Sequence, residues 1–427
     1  MFLKSMKLHN FRCFSDLDVT FNNRLTVVVG SNGAGKSTVL EAAAIASGTF
    51  CAAIDGVSSY GIKKGDAHYK YFDLGSTIDV QPQYPVEIMA TGNVDGREVS
   101  WGRTLNSETG RGSLASAKEL TNIAKSYQDR MRQGDEKLNL PIISYYGTGR
   151  LWAQHKEKKD DTFEKNTRKN GYVDSLDGAA NNKLMMKWFQ KMTIQQAQRG
   201  QGIPEFRAVR LAVEQVFAAI TGFADVKVQF NLDTGELEVI YFDSNNEHVR
   251  IPVSMLSDGY KCTISLIADI AYRMAVLNPQ LFDNVLTETE GIVIIDEIDL
   301  HLHPMWQKRI LKDLMSIFPK VQFIVSTHAP EVINSVRSES IVVLKNNTVR
   351  YVGDETYGKD ANTILREVMD VQTRPDDIRE LLDKFYESLD RHEWSRAEQT
   401  LEQLETELGN NDPEVNSCRV HLELEKM

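Results

Sequence analysis

The chain has 427 residues, is 41% hydrophobic and 26% charged, and carries a net charge of −11. At roughly 150 residues per domain it holds two or three compact units, with enough apolar residues for a large core, which excludes a disordered chain. The longest uncharged apolar run, Ala42 to Ile54, spans 13 residues, against roughly 20 for a bilayer crossing, so no membrane segment is expected. Lys4 and Lys7 lie within an alternating segment and not ahead of a greasy block, so no signal peptide is expected either. Cys13, Cys51, Cys262 and Cys418 are far apart and form no CxxC pair. That spacing argues against a zinc site or a disulfide framework and for a cytoplasmic location. The acidic balance makes nonspecific coating of nucleic acid a poor expectation.

In chain order, Leu3 to Phe14 and Val19 to Phe21 read as short strands, and Leu25 to Val29 as a buried strand ending at Gly30. A helix carrying Val39, Leu40, Ala43 and Ala44 follows the glycine loop. Ile78 to Val80, Val86 to Met89 and Glu98 to Trp101 read as an antiparallel meander. Residues 115 to 134 are polar and helical, and Pro141 to Tyr146 is a second buried strand. Helices are expected around Leu184 to Gln198 and Glu205 to Ile220. Strands return at Val226 to Phe230, Leu237 to Phe242 and Val249 to Val253. Two very apolar strands, Gly291 to Ile295 and Val321 to Ser326, alternate with helices at 260 to 277 and 304 to 317. A hairpin spans Ile341 to Val352. The last 60 residues read as helical.

Three local patterns carry chemistry. Gly30-Ser-Asn-Gly33-Ala-Gly35-Lys36-Ser37 fits G-x-x-x-x-G-K-[ST] in full, after a buried strand and at the opening of a helix. Glycines let backbone N–H groups wrap a β-phosphate, with Asn32 and Thr38 also counted among the nucleotide contacts. Lys36 places its charge between the β- and γ-phosphates, and Ser37 offers a hydroxyl to Mg²⁺. ATP and Mg²⁺ are therefore the expected substrate and cofactor. Secondly, the strand Ile292 to Ile295 ends in Asp296 and Glu297. Asp296 would hold Mg²⁺ and Glu297 would activate or orient the attacking water. Thirdly, Leu256-Ser257-Asp258-Gly259-Tyr260-Lys261 precedes a long apolar helix; read alone, it is only a helix cap.

The order GxNGAGKS, LSDGYK, VIIDE and Ser326-Thr327-His328 resembles the ATP-binding-cassette heads of SMC, RecF and related repair or defence ATPases. The resemblance implies an α/β P-loop head with a helical insertion and an all-helical C-terminal tail. It also implies a head-to-tail homodimer or higher oligomer in which Ser257 and Gly259 act on the nucleotide held by a second subunit, with His328 as the switch histidine near the γ-phosphate. The Asn10-Phe11-Arg12-Cys13-Phe14 opening resembles the NFRxF start of the SMC and RecF group, which implies that Arg12 contacts nucleotide. Two departures stand out. Where transporter cassettes have an Asp seven residues after the first acid of the strand, this chain has His303, within Asp299-Leu-His301-Leu-His303-Pro304, a form resembling AAA_21 and OLD-type defence ATPases. No clear Q-loop glutamine is present, and Tyr145 to Arg150, after the buried strand, is the stretch expected in that region. His301 and His303 alone make a weak metal pair.

The expected organisation is an N-terminal head lobe at 1–105, a mostly helical insertion at 106–225, a C-terminal head lobe at 226–360 and a helical docking tail at 361–427. The insertion is too short for an SMC-type coiled-coil arm. Its Lys156, Lys158, Lys159, Lys165, Arg168 and Lys169 alternate with Glu157, Asp160, Asp161 and Glu164, as a solvated face or a nucleic-acid contact would. In the tail, Ile378, Leu381, Leu382, Phe385 and Leu389, then Trp394, Ala397, Leu401, Leu404 and Leu408, form two apolar stripes that resemble a TPR hairpin. Softer stretches, including DEIDLHLHP, STHAPEVI and the lead from Thr356 to Val368, resemble the PtuA family of Septu and retron anti-phage ATPases. That resemblance implies a separately encoded HNH nuclease partner of the PtuB type, and the chain, in which neither an HNH pattern nor a Toprim-like acidic set is visible, is consistent with needing one. The alternatives from the same motifs are a RecF- or SMC-like repair ATPase acting directly on DNA, a transporter cassette, or a non-hydrolysing scaffold.

Overall fold

The structure is a computed structural model that describes residues 1–150, 167–178, 182–243 and 247–426. Of the charged stretch singled out above, only Arg168 and Lys169 fall among the described residues.

The chain opens with β1 (Phe2–Phe11) and β2 (Phe14–Thr20), an antiparallel pair closed by the tight turn at Arg12 and Cys13, where the expected single strand to Phe14 is interrupted. Arg12 has φ +52° there. β3 (Leu25–Gly30) is buried along its whole length, as a run of Leu, Thr and Val covered on both faces must be. Next come β4 (His68–Leu74) and β5 (Thr77–Gln83), paired only with each other. The expected Ile78–Val80 strand therefore belongs to this separate ribbon and not to the meander. β6 (Val86–Val94) and β7 (Arg97–Leu105) pair with each other and extend the first sheet in the order β2-β1-β6-β7.

The second sheet is the core. β8 (Ile142–Tyr146), β12 (Gly291–Ile295), β13 (Val321–Ser326), β14 (Ile341–Lys345) and β15 (Thr348–Tyr351) join β3 in the order β15-β14-β3-β13-β12-β8, parallel except for β15. β8 is a core strand, so the stretch expected as a mostly helical insertion contributes one element to the central sheet. A third, small sheet, β11-β10-β9, is built from β9 (Ala224–Asn231), β10 (Glu236–Phe242) and β11 (His248–Pro252).

Helix α1 (Lys36–Ser47) touches strands of both larger sheets, and its Ala42, Ala43, Ala44 and Ala46 are buried. Small side chains let the helix lie in so confined a place. Gln322 of β13 stitches the two sheets together: its amide bonds both the N–H and the C=O of Leu3, each at 2.7 Å. α2 (Lys118–Arg132), α3 (Asn182–Arg199), α4 (Pro204–Thr221) and α5 (Asp258–Leu277) follow. After α6 (Val285–Glu288), the expected helix over 304 to 317 is broken into α7 (Pro304–Gln307) and α8 (Ile310–Ile317). Between them the Arg309 N–H closes a tighter bond to the Trp306 carbonyl, and its guanidinium reaches the Ala219 carbonyl. α9 (Pro330–Ile333) completes the first unit, residues 1–361.

The second unit, residues 362–427, contains α11 (Asp376–Asp390), α12 (Trp394–Leu408) and α13 (Pro413–Glu425), preceded by α10 (Ala361–Glu367). It has a core of its own, with Phe385, Ala397, Leu404, Val415 and Cys418 essentially buried. Asp412 caps α13 by accepting from the Glu414 N–H at 2.9 Å, and both its oxygens accept from Arg374 Nη2 at 2.9 Å, while Arg374 Nε donates to Glu414 at 3.0 Å.

Candidate nucleotide site

The phosphate loop is shaped by two glycines with positive φ, Gly33 at +81° and Gly35 at +93°. A Cβ on Gly35 would lie 2.4 Å from Phe14 Cζ and 2.9 Å from Cys13 Sγ, so the turn after β1 closes against the loop and only glycine fits. α1 begins without a side-chain cap or an acidic residue in its first turn, which leaves its first N–H groups to an anion. Lys36 is buried and donates to the carbonyls of Gly30 at 2.9 Å and Ser31 at 3.0 Å. Burial lowers its pKa, opposed by Asp296, Glu297 and Asp299. Asn32 and Ser37 are exposed at the loop surface, and Thr38 is partly so.

β12 carries Asp296 to the end of the core sheet beside this loop. The Asp296 N–H donates to the Tyr146 carbonyl at 2.8 Å, and its carboxylate is only 3% exposed. Ser326, at the end of the neighbouring strand β13, donates its hydroxyl to Asp296 Oδ1 and accepts from the Glu297 N–H at 2.8 Å. One serine therefore orients the first acid and the backbone of the second. Glu297 has φ +47°, a left-handed conformation that non-glycine residues rarely adopt. Thr327 extends the pattern by donating to Asp299 Oδ1 at 2.6 Å. Ser326 and Thr327 stood in the sequence beside His328 without a role; the structural signal is strand adjacency, invisible along the chain.

His328 is half-buried. Burial lowers its pKa first, and the charge of Lys36 second; Asp299, Glu297 and Asp296 act weakly the other way. Its imidazole is therefore neutral at pH 7 in the free protein, and it gains a proton only below the ordinary histidine range. If this histidine serves hydrolysis, kcat/KM for ATP, which reports the free enzyme, is expected to be flat from pH 8 to about 6.5 and to fall below that value. The difference between wild type and His328→Gln across pH 5.5–8 checks this. An acid limb unchanged in the variant would assign it to another group.

Arg12 is held by carboxylates. Its Nε donates to Asp66 at 2.8 Å and its Nη2 to Glu41 of α1 at 2.5 Å. Burial works against its charge, but the bonds to Glu41 and Asp66 outweigh that and push its pKa up. The structure thus ties Arg12 to the loop helix through Glu41, with its Nε and Nη2 committed to carboxylates.

Ser257 precedes α5, is exposed, and makes no capping bond to its own helix, contrary to the plain capping role its position suggests. Gly259, by contrast, is buried by packing: a Cβ there would lie 2.6 Å from the His301 carbonyl and 3.0 Å from Trp306. The Tyr260 and Trp306 rings sit 4.6 Å apart. The start of α5 is therefore braced on the loop that follows the acidic strand. His303 caps α7, its Nδ1 accepting from the Met305 N–H at 3.3 Å, and among the described residues no cluster of three or more metal-ligating side chains occurs.

A buried set behind the site escaped the sequence reading. Asp269 and Arg273 of α5 pair at 2.7 Å, and Tyr146 donates its hydroxyl to the same Asp269 oxygen at 2.7 Å. Tyr146 is the residue whose carbonyl receives the Asp296 N–H, so the set joins α5 to the acidic strand end. An acid and a base four residues apart on an apolar helix were its only signal.

Residues 122–334 match the AAA_21 family, described as "AAA domain, putative AbiEii toxin, Type IV TA system", and residues 5–215 match AAA_23, an AAA domain. The retron Vc95 probable ATPase of Vibrio cholerae is 28% identical over 91% of this chain and 83% of its own length. The Septu protein PtuA of Bacillus thuringiensis is 23% identical over 96% of this chain and 95% of its own. The chain carries an AAA_21 domain and is homologous to the retron ATPases and to Septu PtuA. Among solved structures, the SMC head domain from Thermotoga maritima aligns with 83% of this chain and all of its own, at 16% identity and a TM-score of 0.43. Among the described residues, no helix is long and apolar enough to cross a membrane.

Proposed function

We propose that this chain is a cytoplasmic ATPase of the retron and Septu defence type, whose heads close in pairs around ATP and thereby regulate a separately encoded HNH nuclease of the PtuB kind. The observation that carries the pairing is Ser257. It is exposed at the start of a 20-residue helix, unused by its own backbone, on a turn whose glycine is packed against the loop after the acidic strand. A hydroxyl presented in this way suits a phosphate held by another copy.

The residues present fit ATP with Mg²⁺. The uncapped loop helix and Lys36 suit the phosphates, and Ser37 with the buried Asp296 makes a hard oxygen pair for the ion. When bound, Mg²⁺ neutralises charge on the β- and γ-phosphate oxygens. Lys36 holds the β- and γ-phosphates from the loop side. Glu297 accepts a proton from the attacking water or orients it, and neutral His328 stands near the γ-phosphate as a hydrogen-bonding group. Ser257 and the Gly259 turn of the second chain complete the cage. Hydrolysis removes the group that both chains contact, so the pair reopens. Moving such an equilibrium from 1:99 to 99:1 takes about 5.5 kcal/mol of differential binding, which a phosphate gripped from two sides can supply.

The test is affinity capture of the tagged chain from its native host, with and without ATP, followed by mass spectrometry and a nuclease assay. An HNH protein whose cleavage responds to ATP is the expected result. Capture with replication proteins on DNA instead would move the reading to a repair ATPase. For the pairing, Ser257→Arg is expected to retain binding of a fluorescent ATP analogue within about threefold and to lose ATP-dependent doubling of mass in light scattering, because the larger cation obstructs the facing phosphate. A variant that still doubles would sink the assignment of Ser257.

A further inference from the structure

We propose that Arg150 is a positioning residue for ATP hydrolysis, clamping the backbone of Glu297 in the conformation that aims its carboxylate. The inference rests on the reading of Glu297 given above.

Arg150 is 3% exposed and lies four residues beyond β8, at the end of the Tyr145-to-Arg150 turn where no glutamine could be placed. Its Nη1 donates to the Asp296 carbonyl at 2.7 Å and to the Gly147 carbonyl at 3.2 Å, and its Nη2 donates to the Glu297 carbonyl at 2.8 Å. The fork thus grips two successive carbonyls of the acidic turn. On the other side, the Glu297 N–H is held by Ser326 Oγ at 2.8 Å. Between these two grips Glu297 has φ +47°. A glutamate does not rest in that region without restraint; here the N–H is tied to β13, and the C=O to Arg150 and, within its own turn, to the Leu300 N–H at 2.9 Å. The planar guanidinium reaches the two carbonyls through two separate nitrogens of a rigid fork, a geometry that the single nitrogen of an ammonium does not reproduce.

The clamp is itself anchored. The Gly147 N–H donates to the Gly178 carbonyl at 2.7 Å, and the Tyr145 N–H donates to the Ser175 carbonyl at 2.7 Å. The segment from Ser175 to Gly178 therefore lies along the end of β8 and holds the turn from which Arg150 reaches across. A displacement of that segment would reach Glu297 through three hydrogen bonds.

The experiment measures steady-state ATP hydrolysis and binding of a fluorescent ATP analogue for the full chain, in wild type, Arg150→Ala, Arg150→Lys, Glu297→Gln and the Arg150→Ala/Glu297→Gln pair. Arg150→Ala is expected to lower kcat by about 100-fold, the size of effect that a misplaced reacting group produces. KM and analogue affinity should stay within about threefold, and the change should add little in the Glu297→Gln background, since it acts through that residue. Guanidinium ion at millimolar concentration should restore part of the lost rate in Arg150→Ala. Arg150→Lys, which keeps the charge but only one donor nitrogen, should bind the analogue normally and lie between wild type and Arg150→Ala; it carries the test if the alanine variant does not fold. If Glu297→Gln is inactive while Arg150→Ala or Arg150→Lys retains wild-type kcat, or if the Arg150 effect is undiminished in the Glu297→Gln background, the clamp is wrong and the Glu297 assignment stands. If Glu297→Gln hydrolyses ATP at the wild-type rate, the assignment of Glu297 fails and the clamp with it.

Discussion

Glu297→Gln is expected to lower kcat for ATP hydrolysis by about 10²–10⁴-fold, the range that a positioned general base contributes, while nucleotide binding is retained. The substitution replaces a carboxylate with an amide of the same shape. The hydrogen bonds that hold this residue, from its N–H to Ser326 Oγ and to its C=O from the Arg150 fork and the Leu300 N–H, are made by its backbone and survive the change. The loss is therefore chemical. With hydrolysis blocked, ATP should hold the heads together, so the variant should accumulate as the ATP-bound pair in light scattering. Phosphate release and mass together check this. Turnover at the wild-type rate would assign the water-activating role elsewhere.

The second large effect concerns stability. Arg273 and Asp269 are both essentially inaccessible, at 1% and 0% of their side-chain surface. Arg273 also donates to the carbonyls of Gly171 and Val173, at 3.0 and 2.8 Å. Burial disfavours its charge, and Asp269 more than restores it, so its pKa is raised. Tyr146 is pushed well up as well, by its burial first and by Asp269 second. Arg273→Met removes the cation and leaves the Asp269 charge buried with only the Tyr146 hydroxyl for a partner. The expected loss is about 3–5 kcal/mol on the unfolding transition of residues 1–361 in urea, read by a probe in that unit. Asp269→Leu with Arg273→Met should recover much of it, because two apolar side chains in a dry place are not penalised as one bare charge is. Since Tyr146 also supplies the carbonyl for the Asp296 N–H, the single variant should lower ATP hydrolysis along with stability. A double variant no more stable than Arg273→Met would show that shape, and not the unpaired charge, sets the cost.

Much of this protein was legible along the chain, where the interactions are local. The phosphate loop is a run of eight residues whose conformation follows from its glycines. The strands at 291–295 and 321–326 stand out because a strand covered on both faces is apolar at every position. The tail's two stripes mark α11 and α12, two of the three helices that share a core there. Less visible was the ribbon of β4 and β5. Tyr71, Leu74 and Ile78 are more than 60% exposed there, and strands that bury neither face carry no reliable alternation. The broken helix at 308–309 was likewise hidden; there the Arg309 guanidinium bonds the carbonyl of Ala219, 90 residues earlier in the chain.

What the sequence by itself determined is the set of groups on offer: a glycine loop ending in Lys36 and Ser37, an acid at a strand end, a second carboxylate beside it and a serine ahead of a helix. Tertiary structure alone decided how these groups are aimed. Ser326 reaches back 30 positions to Asp296, Arg150 reaches forward 146 and 147 to two carbonyls, and Arg12 is held by acids 29 and 54 residues away. The physical reason is that a backbone pattern repeats within a few residues and is written locally, whereas a hydrogen bond between strand ends depends on which strands become neighbours. The sheet order, with β8 beside β12 and β12 beside β13, brings Arg150 and Ser326 to opposite sides of Glu297.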